Sequence, residues 1–436
     1  MTSNTNSDWN GTRIIGIRHR VKKTVAGEAR PTQLVVIKNG KQNVFDLETE
    51  QDELDWLLGK YPVEWRKALP SDDIASLPAH HIKWHKMKPS ATTALTAELS
   101  IEALPDNWKK YEGKAVFIVD KIPSRYDGMR YGDTVVIGMG GSGDRFASAL
   151  SNCFSEAADN TGVYRLPSFL IKEKCGSDKD KQAACLAQLY IDHPEFFRRM
   201  TVKDRALILV REQLRARTEA MKARIVVEQQ LRISFIGQIF CSPEGKYPEG
   251  SIEILFDNVR ANDEVLLALA VVEKKREKEL VNTLKGLKVF QDLFDPIEGC
   301  GPMIAARLIA SIGDIQQFSS DAKLKAYVGA HVLPDGRFAR KRSGEVANWS
   351  NDARQALFLL GDQFNRRPNS VWGIKLRQYK TKFRAIHPEV VIGENGKKKY
   401  TDMHIHKMAT WRILTKFVEW LYKEWRCIDR EAEKSQ

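Results

Sequence analysis

The hydrophobic and polar positions of the 436-residue chain follow three successive patterns. In the first, β-branched apolar runs at 13–18 and 33–38 predict strands on either side of a basic, glycine-containing hairpin. Similar runs at 114–120 and 133–138 predict two more strands, and a helix is expected to open at Ser142. Strands followed by strand–helix alternation predict an α/β domain. Weaker signals predict a third strand at 42–47, a helix at 49–58 that Thr49 caps, and one further strand at 164–173.

The second pattern, from about 201 to 292, is helical. Apolar residues recur near the heptad spacing from Leu207 to Ile225, and Thr201 with Asp204 resembles a capping box. A segment rich in proline and glycine, 241–260, interrupts the pattern before a second long helix at 262–290. Two long helices joined by a break predict an antiparallel helical arm, with two surface helices on a globular body as the alternative.

The third pattern opens with a glycine turn. Gly299 and Gly301, followed by Pro302, precede an apolar helix, a helix–hairpin–helix pattern whose helix N-terminus would offer N–H groups to a phosphate. The last helix places large apolar residues on one face, which predicts a core surface rather than a platform for stacking bases. These residues are Trp411, Leu414, Val418, Leu421 and Trp425.

Positive charge is concentrated in the same region. The net charge is +13, and residues 331–430 alone hold 21 Lys and Arg against 10 Asp and Glu. A localised basic block predicts binding to phosphates, whereas a solvated surface would need no such clustering. Nucleic acid is therefore the expected partner.

Composition argues against several other classes of protein. The chain has no run of 18 apolar residues, so no membrane span is predicted. Its first residues lack the pattern of a signal peptide. The six cysteines form no CxxC pair and the histidines no HExxH pattern, so we expect free thiols, no metal and a cytoplasmic location. The run GMGGSG (138–143) satisfies G-x-G-x-x-G, but it lacks an acidic partner about 20 residues on, so nucleotide binding is disfavoured.

Two stretches of the last third carry a family resemblance. The first, 299–333, contains the glycine turn, Ala305-Ala306, Ile312-Gly313 and Tyr327-Val328-Gly329-Ala330; the second, 341–357, contains Arg342-Ser343-Gly344 and Ala353-Arg354. They resemble the C-terminal domain of DEDD-type insertion-sequence transposases guided by a bridge RNA, and are similar to the Nop domain of archaeal box C/D proteins. The Tas proteins of tandem interspaced guide RNA systems combine features of both groups, and their architecture resembles this chain best.

The resemblance implies a fold of class α/β plus α, in three domains. Residues 1–195 would form a degenerate RuvC/RNase H-like domain, and 196–292 an antiparallel coiled-coil arm. Residues 293–436 would form a basic, all-helical, Nop-like domain with a helix–hairpin–helix turn.

The resemblance also locates the acids that a RuvC-like site needs to hold two divalent ions. Arg18 stands where the first-strand Asp is expected, and Gly138 where the Glu of a later strand is expected. Lys179 and Gln182 take the last two acidic places, while Asp178 and Asp180 lie one or two residues out of register. Because an arginine would repel the ions, we predict a domain without cleavage activity.

An active enzyme is the first alternative. Asp120, with Asp133 or Asp144, is a candidate displaced set of acids, and Ser343-Gly344 matches the setting of the family's serine nucleophile. Such an enzyme would be an RNA-guided transposase or recombinase and would require Mg²⁺.

The favoured hypothesis is a guide-RNA-binding protein that finds a DNA target by base pairing, without a cofactor. The arm would pair two copies into a homodimer, because an apolar seam on a long hairpin needs a partner. A protein that bridges DNA without a guide is the second alternative. The predicted nucleic-acid contacts are Gly299, Gly301, Arg337, Arg340, Lys341, Arg342, Ser343, Gly344, Arg354, Arg366, Arg367, Lys397, Lys398 and Lys399.

Overall fold

The chain folds into two compact units, Met1–Met200 and Thr201–Gln436, in a computed structural model. The structure describes residues 12–21, 29–69, 71–87, 105–113, 115–153, 162–333, 338–340, 348–392 and 397–434. Both arm helices fall in the second unit, together with the C-terminal helices. The three-domain division of the sequence stays a prediction.

The first unit is a mixed α/β structure. Its described strands are β1 (Ile14–Arg18), β2 (Thr32–Lys38), β3 (Lys41–Leu47), β4 (Tyr61–Lys67), β5 (Lys83–Met87), β6 (Lys109–Glu112), β7 (Ala115–Asp127), β8 (Thr134–Gly138), β9 (Gly162–Leu166) and β10 (Arg198–Arg199). Its described α-helices are α1 (Glu50–Leu57), α2 (Gly143–Asn152), α3 (Ser168–Cys175) and α4 (Gln182–Asp192).

Six strands form the main sheet, in the order β10-β9-β8-β1-β2-β3. β1 runs antiparallel to β2 and parallel to β8, which in turn runs parallel to β9. All five residues of β1 are buried, as expected for a central strand covered on both faces. Helix α4 lies so close to β1 that a Cβ on Gly16 would come within 2.0 Å of the Ala183 carbonyl oxygen, so only glycine fits there.

A second sheet is inserted between β3 and β8. It has the order β4-β7-β5, with β6 also paired to β7, and its small core contains Ile74, Trp108 and Val119. The arrangement of this sheet was not predictable from the sequence, because short strands with irregular register leave no periodic pattern.

A buried ion-pair cluster joins the starts of β1 and β8. The guanidinium of Arg13 donates to Asp133 over 2.9 and 2.6 Å, and to Asp127 at the end of β7 over 2.9 Å. The side chains of Arg13 and Asp133 are only 7% and 3% exposed. Asp133, one of the candidate displaced acids, is therefore a structural partner of Arg13.

The second unit is mainly helical. Its described elements are α5 (Val202–Phe240), α6 (Ile252–Asn262), α7 (Glu264–Lys285), a π-helical turn (Phe290–Phe294), α8 (Pro302–Ile312), a 3₁₀ turn (Ile315–Gln317), α9 (Asp321–Tyr327), α10 (Asn351–Arg366), α11 (Val371–Ile386), β11 (Val390–Ile392), β12 (Lys397–Lys399) and α12 (Asp402–Lys434). β11 and β12 pair antiparallel, so the prediction of an all-helical C-terminal domain is wrong at 390–392 and 397–399. The β-branched run at 390–392 and the glycines that follow it favour a hairpin there.

Helices α5 and α7 lie side by side and antiparallel, with α6 between them in the chain. Arg224 pairs with Glu273 over 2.8 Å in the middle, and near the tip Phe235 packs on Phe256 with ring centroids 5.7 Å apart. Thr201 closes the predicted capping box with Asp204 at the start of α5. The predicted break at 241–260 is too long, since α6 begins at Ile252.

One hydrophobic core joins the base of the arm to the C-terminal helices. Leu284 of α7, Leu308 of α8, Leu360 of α10 and Phe417 of α12 are all fully buried in it. On the predicted apolar face of α12, Trp411 is half-buried and the other four residues are fully buried. That face is core, as its spacing indicates.

The cysteines differ from expectation at one point. Cys175 of α3 and Cys185 of α4 are joined by a disulfide, so the prediction of free thiols is wrong for this pair. Their separation of 10 residues spans two helices that fold back on each other, which sequence spacing does not indicate. Among the described residues, no helix is long and apolar enough to cross a membrane.

We predict that Arg13→Met lowers the free energy of unfolding by about 3–5 kcal/mol, because it leaves the buried Asp133 carboxylate without its partner. Thermal and denaturant melts of the full chain measure the loss. Arg125→Met is the matched control, since Arg125 and Glu64 form an ion pair whose side chains are each 58% exposed. Equal melting curves for the two variants would contradict a structural role for Arg13.

Candidate nucleic-acid interface

The four positions that the resemblance assigns to catalytic acids lie together in the first unit. Arg18 ends β1 and Gly138 ends β8, so the parallel pairing of these strands places them side by side. Lys179 and Gln182 approach from the start of α4. All four residues line one cavity of about 450 Å³, which we call the strand-end cavity.

The strand-end cavity is cationic. Arg18, Lys172 and Lys179 line it, and no carboxylate does so among its described residues. Arg18 is 4% exposed, its Nη1 donates to the Pro31 carbonyl over 2.8 Å, and burial lowers the pKa of its guanidinium. Because divalent ions such as Mg²⁺ bind carboxylate and carbonyl oxygens, this arrangement is unsuited to a two-metal site.

The candidate displaced acids are dispersed. Asp120 lies on β7 of the inserted sheet, and Asp133 lies at the opposite end of β8 from Gly138. Asp144 is buried and accepts from the Gly140 N–H over 3.0 Å. Asp178 and Asp180 are exposed, and Asp180 pairs with Arg30 over 3.4 Å. None of these five residues lines the strand-end cavity.

One cluster in the first unit has the chemistry of metal ligands. Nε2 of His81 and Nε2 of His80 lie 2.8 and 3.1 Å from Oδ2 of Asp55. These separations are ordinary hydrogen-bond distances, and Gln51 also donates to the carboxylate over 3.0 Å. We interpret the cluster as a hydrogen-bonded one, and the absence of a metal stays a prediction.

Six of the predicted contacts belong to one basic stretch of the sequence, 337–344, which we call the basic loop. Five of them lie outside the described residues: Arg337, Lys341, Arg342, Ser343 and Gly344. Arg340 is described and exposed. It follows the buried Ala339, which anchors this segment to the unit.

Arg354 holds Ala339 in its place. Its guanidinium donates to the Ala339 carbonyl over 2.6 Å and to the Gly329 carbonyl, and it lies over the rings of Trp349 and Trp411 at 4.7 and 4.2 Å. Burial lowers the pKa of Arg354. Because the guanidinium is used internally, we assign Arg354 to positioning the segment around Arg340 rather than to direct phosphate contact.

The glycine turn packs against the end of α10. Gly299 has a φ of +92°, and a Cβ there would lie 2.9 Å from Cβ of Gln363 and 3.2 Å from Nη1 of Arg367. Gly301 caps α8 and faces open space. Arg367 also donates to the Gln363 side chain, while the neighbouring Arg366 is exposed and pairs with Asp362 over 2.8 Å. The fold thus brings Gly299 and Arg367 together.

The three predicted lysines lie on strand β12. Lys398 pairs with Glu389 over 2.8 Å, and this carboxylate raises the pKa of Lys398. Nζ of Lys399 lies 5.0 Å from the centre of the Tyr400 ring. The side chain of Lys397 lies outside the described ones.

A basic groove between α11 and α12 was not predicted from the sequence. It has a volume of about 500 Å³, and no Asp or Glu lines it among the described residues. Helix α11 itself carries five cations and no acid, the signal that would have indicated it. We call this site the α11–α12 groove; it is lined by Trp372, Lys375, Gln378, Tyr379, Lys382, Ile413, Lys416 and Trp420.

Aromatic and cationic side chains alternate in this groove. Nζ of Lys375 lies 4.5 Å from the centre of the Trp372 ring, and Trp372 packs edge-on against Trp420 with centroids 5.5 Å apart. Trp420 and Tyr379 are half-buried, whereas Lys375, Lys382 and Lys416 are exposed. Stacking surfaces beside phosphate-binding cations are the typical components of a single-strand binding site.

One segment of the chain is similar to a known family. Residues 291–357 match the model of the Transposase IS116/IS110/IS902 family. The match covers α8, α9, the basic loop and the first part of α10, so this segment is related to IS110-type transposases. A comparison with curated proteins gave no match.

We predict that Arg354→Ala lowers the free energy of unfolding by about 2–3 kcal/mol, because two carbonyl groups lose a charged donor. The same variant should weaken nucleic-acid binding by releasing the segment around Arg340. Thermal melts and filter binding measure the two effects. Arg366→Ala serves as the control for the stability measurement alone, since its exposed side chain should change stability little. An unchanged melting curve for Arg354→Ala would contradict the anchoring role.

Proposed function

We propose that this protein binds a guide RNA through its second unit and uses the RNA to recognise a DNA target. The observation that carries the proposal is that the transposase-related segment 291–357 and the acid-free α11–α12 groove occur in one unit. In RNA-guided systems the protein contacts backbone and shape, while base pairing of the guide supplies sequence specificity. A Tas-like or Nop-like protein fits this division of work.

The α11–α12 groove fits one part of a single-stranded RNA. A base would stack on the half-buried faces of Trp420 or Tyr379, and neighbouring phosphates would contact Lys375, Lys382 and Lys416. Four exposed cations would extend the contact to further phosphates: Arg340, Arg366, Lys398 and Lys399. Such contacts recognise any sequence, as expected when the guide alone reads the target.

We propose further that the protein does not cleave DNA itself. The positions of the expected acids converge on the strand-end cavity, as positions of a single site should, which supports a RuvC-like origin for the first unit. With Arg18 and Lys179 there instead of carboxylates, the residues that would bind Mg²⁺ and orient the attacking group are missing from the described part of the cavity. Ser343 is then proposed as part of the RNA-binding loop, not as a nucleophile.

The arm is proposed to form a homodimer. Several apolar side chains along α5 and α7 are exposed although the helices already pack on each other, among them Ile233 at 73% and Val271 at 68%. Exposed apolar residues repeated along paired helices favour a second copy of the same surface as the partner.

The function is tested by purifying the protein with its native locus and sequencing the bound nucleic acid. A discrete small RNA encoded beside the gene supports guide binding; random RNA, or none, refutes it and favours a protein that bridges DNA. Incubating the complex with matched target DNA and Mg²⁺ tests the second part. Cleavage that disappears in Ser343→Ala would show an active transposase or recombinase instead.

We predict that replacing Lys375, Lys382 and Lys416 together by Gln weakens RNA binding and flattens its salt dependence. Each lost contact to a single strand should reduce the slope of log K against log salt by about 0.7, or about 2 in all. The matched control replaces three exposed arm lysines, Lys274, Lys275 and Lys278, by Gln. An equal change of slope in both triple variants would mean that only net charge matters.

We predict that the double variant Ile233→Lys and Val271→Lys is monomeric, since burying two lysines in an apolar contact is unfavourable. Light scattering after size exclusion should give twice the chain mass for the wild type and one chain mass for the variant. Val44→Lys, which adds a charge at an exposed valine of the first unit, should leave the mass unchanged. A monomeric wild type would refute the arm as a dimer contact.

A further inference from the structure

The strand-end cavity also contains a glycine-rich loop. Gly138, Gly140 and Gly141 line it just after β8, followed by Ser142 and Gly143 at the start of α2. Gly140 and Gly141 have φ values of +89° and +75°, and a Cβ on either would meet nothing within 4 Å. The loop therefore leaves its backbone open to a ligand, where a side chain would cover it.

Helix α2 begins at this loop. The first N–H groups of a helix have no acceptor within it, and the helix dipole favours an anion at that end. Asp144 uses one loop N–H, that of Gly140. His19, whose Nδ1 lies 2.9 Å from Oγ of Ser142, holds the helix start against the end of β1.

A buried cation provides a second observation. Arg18 is 4% exposed and lines the same cavity, and its Nε is buried without a hydrogen-bond partner among the described residues. A buried donor of this kind is costly unless a ligand accepts from it. Lys172 and Lys179 add two exposed cations at the rim, and no Asp or Glu is among the described residues that line the cavity.

We propose that the strand-end cavity binds a phosphate group. The start of α2 and the open glycine loop would hold the phosphate oxygens, with Arg18 beneath and Lys172 and Lys179 at the rim. A terminal phosphate, which carries more charge than a diester, suits a pocket with three cations. The volume of about 450 Å³ is within the range of about 300–1,000 Å³ of small-ligand sites.

Two sources share this chemistry: a free nucleotide, and the phosphorylated end of a nucleic-acid strand. The cavity lies entirely in the first unit, so this proposal does not depend on guide binding by the second. A protein without any guide RNA could still bind phosphate here, and a guide-binding protein could fail to do so.

Titration calorimetry of the full-length protein, stripped of nucleic acid and at constant ionic strength, tests the site. The ligands are inorganic phosphate, adenosine 5′-monophosphate and one short oligoribonucleotide with either a 5′-phosphate or a 5′-hydroxyl end. Lys179→Gln should weaken phosphate binding about tenfold, as loss of one charge-assisted hydrogen bond predicts. Lys181→Gln, an exposed neighbour that does not line the cavity, is the matched control.

The outcomes are distinct. Binding of phosphate and the nucleotide, weakened only by Lys179→Gln, supports a nucleotide site. A preference for the 5′-phosphorylated strand, lost in Lys179→Gln, supports a strand-end site. Because Lys179 is exposed, its variant should fold normally. Absence of phosphate binding by the wild type, or equal binding by both variants, overturns the proposal.

Discussion

The parallel pairing of β1 with β8 determines what chemistry the first unit can perform. Parallel strands bring like ends together, so Arg13 meets Asp133 at one end while Arg18 lies beside Gly138 at the other. The first end is a compensated ion pair and holds the inserted sheet through Asp127. The second end has cations but no matching acids among its lining residues. The same two strands thus have a neutralised ion-pair cluster at one end and a cavity lined by unmatched cations at the other.

The cations of the second unit fall into two groups: those that hydrogen-bond within the fold and those that are exposed to solvent. The guanidinium of Arg354 donates to the carbonyls of Gly329 and Ala339. That of Arg377 donates to the carbonyls of Gly373 and Asn365. These arginines behave as parts of the scaffold. Lys375 and Lys382 of the α11–α12 groove are exposed and form no ion pair among the described residues, whereas Lys416 pairs with Glu419 over 2.8 Å. A count of basic residues therefore overstates the number of cations that are available to bind phosphate. The hydrogen-bond and ion-pair partners of each side chain distinguish the available cations from those that the fold uses.

Local signals in the sequence predicted local structure well. The β-branched runs predicted β1 and β2, Thr49 and Thr201 cap helices as expected, and the apolar face of α12 is core. Contacts between distant segments were not predictable in the same way. The α11–α12 groove combines residues about 40 positions apart, and the internal use of Arg354 depends on carbonyls that only the folded chain brings near. The disulfide between α3 and α4 depends likewise on a turn of the chain.

Gly16 has a consequence for how such a unit can evolve. Its lack of a side chain lets α4 rest directly on β1, and this contact carries Lys179 and Gln182 to the cavity wall. The need for glycine at position 16 is steric, and it does not depend on which residues line the cavity. If an ancestor lost its catalytic acids, selection on those acids would relax while selection on Gly16 persisted. The strand-end cavity would then keep its shape while its lining residues changed, and it could come to bind a different ligand.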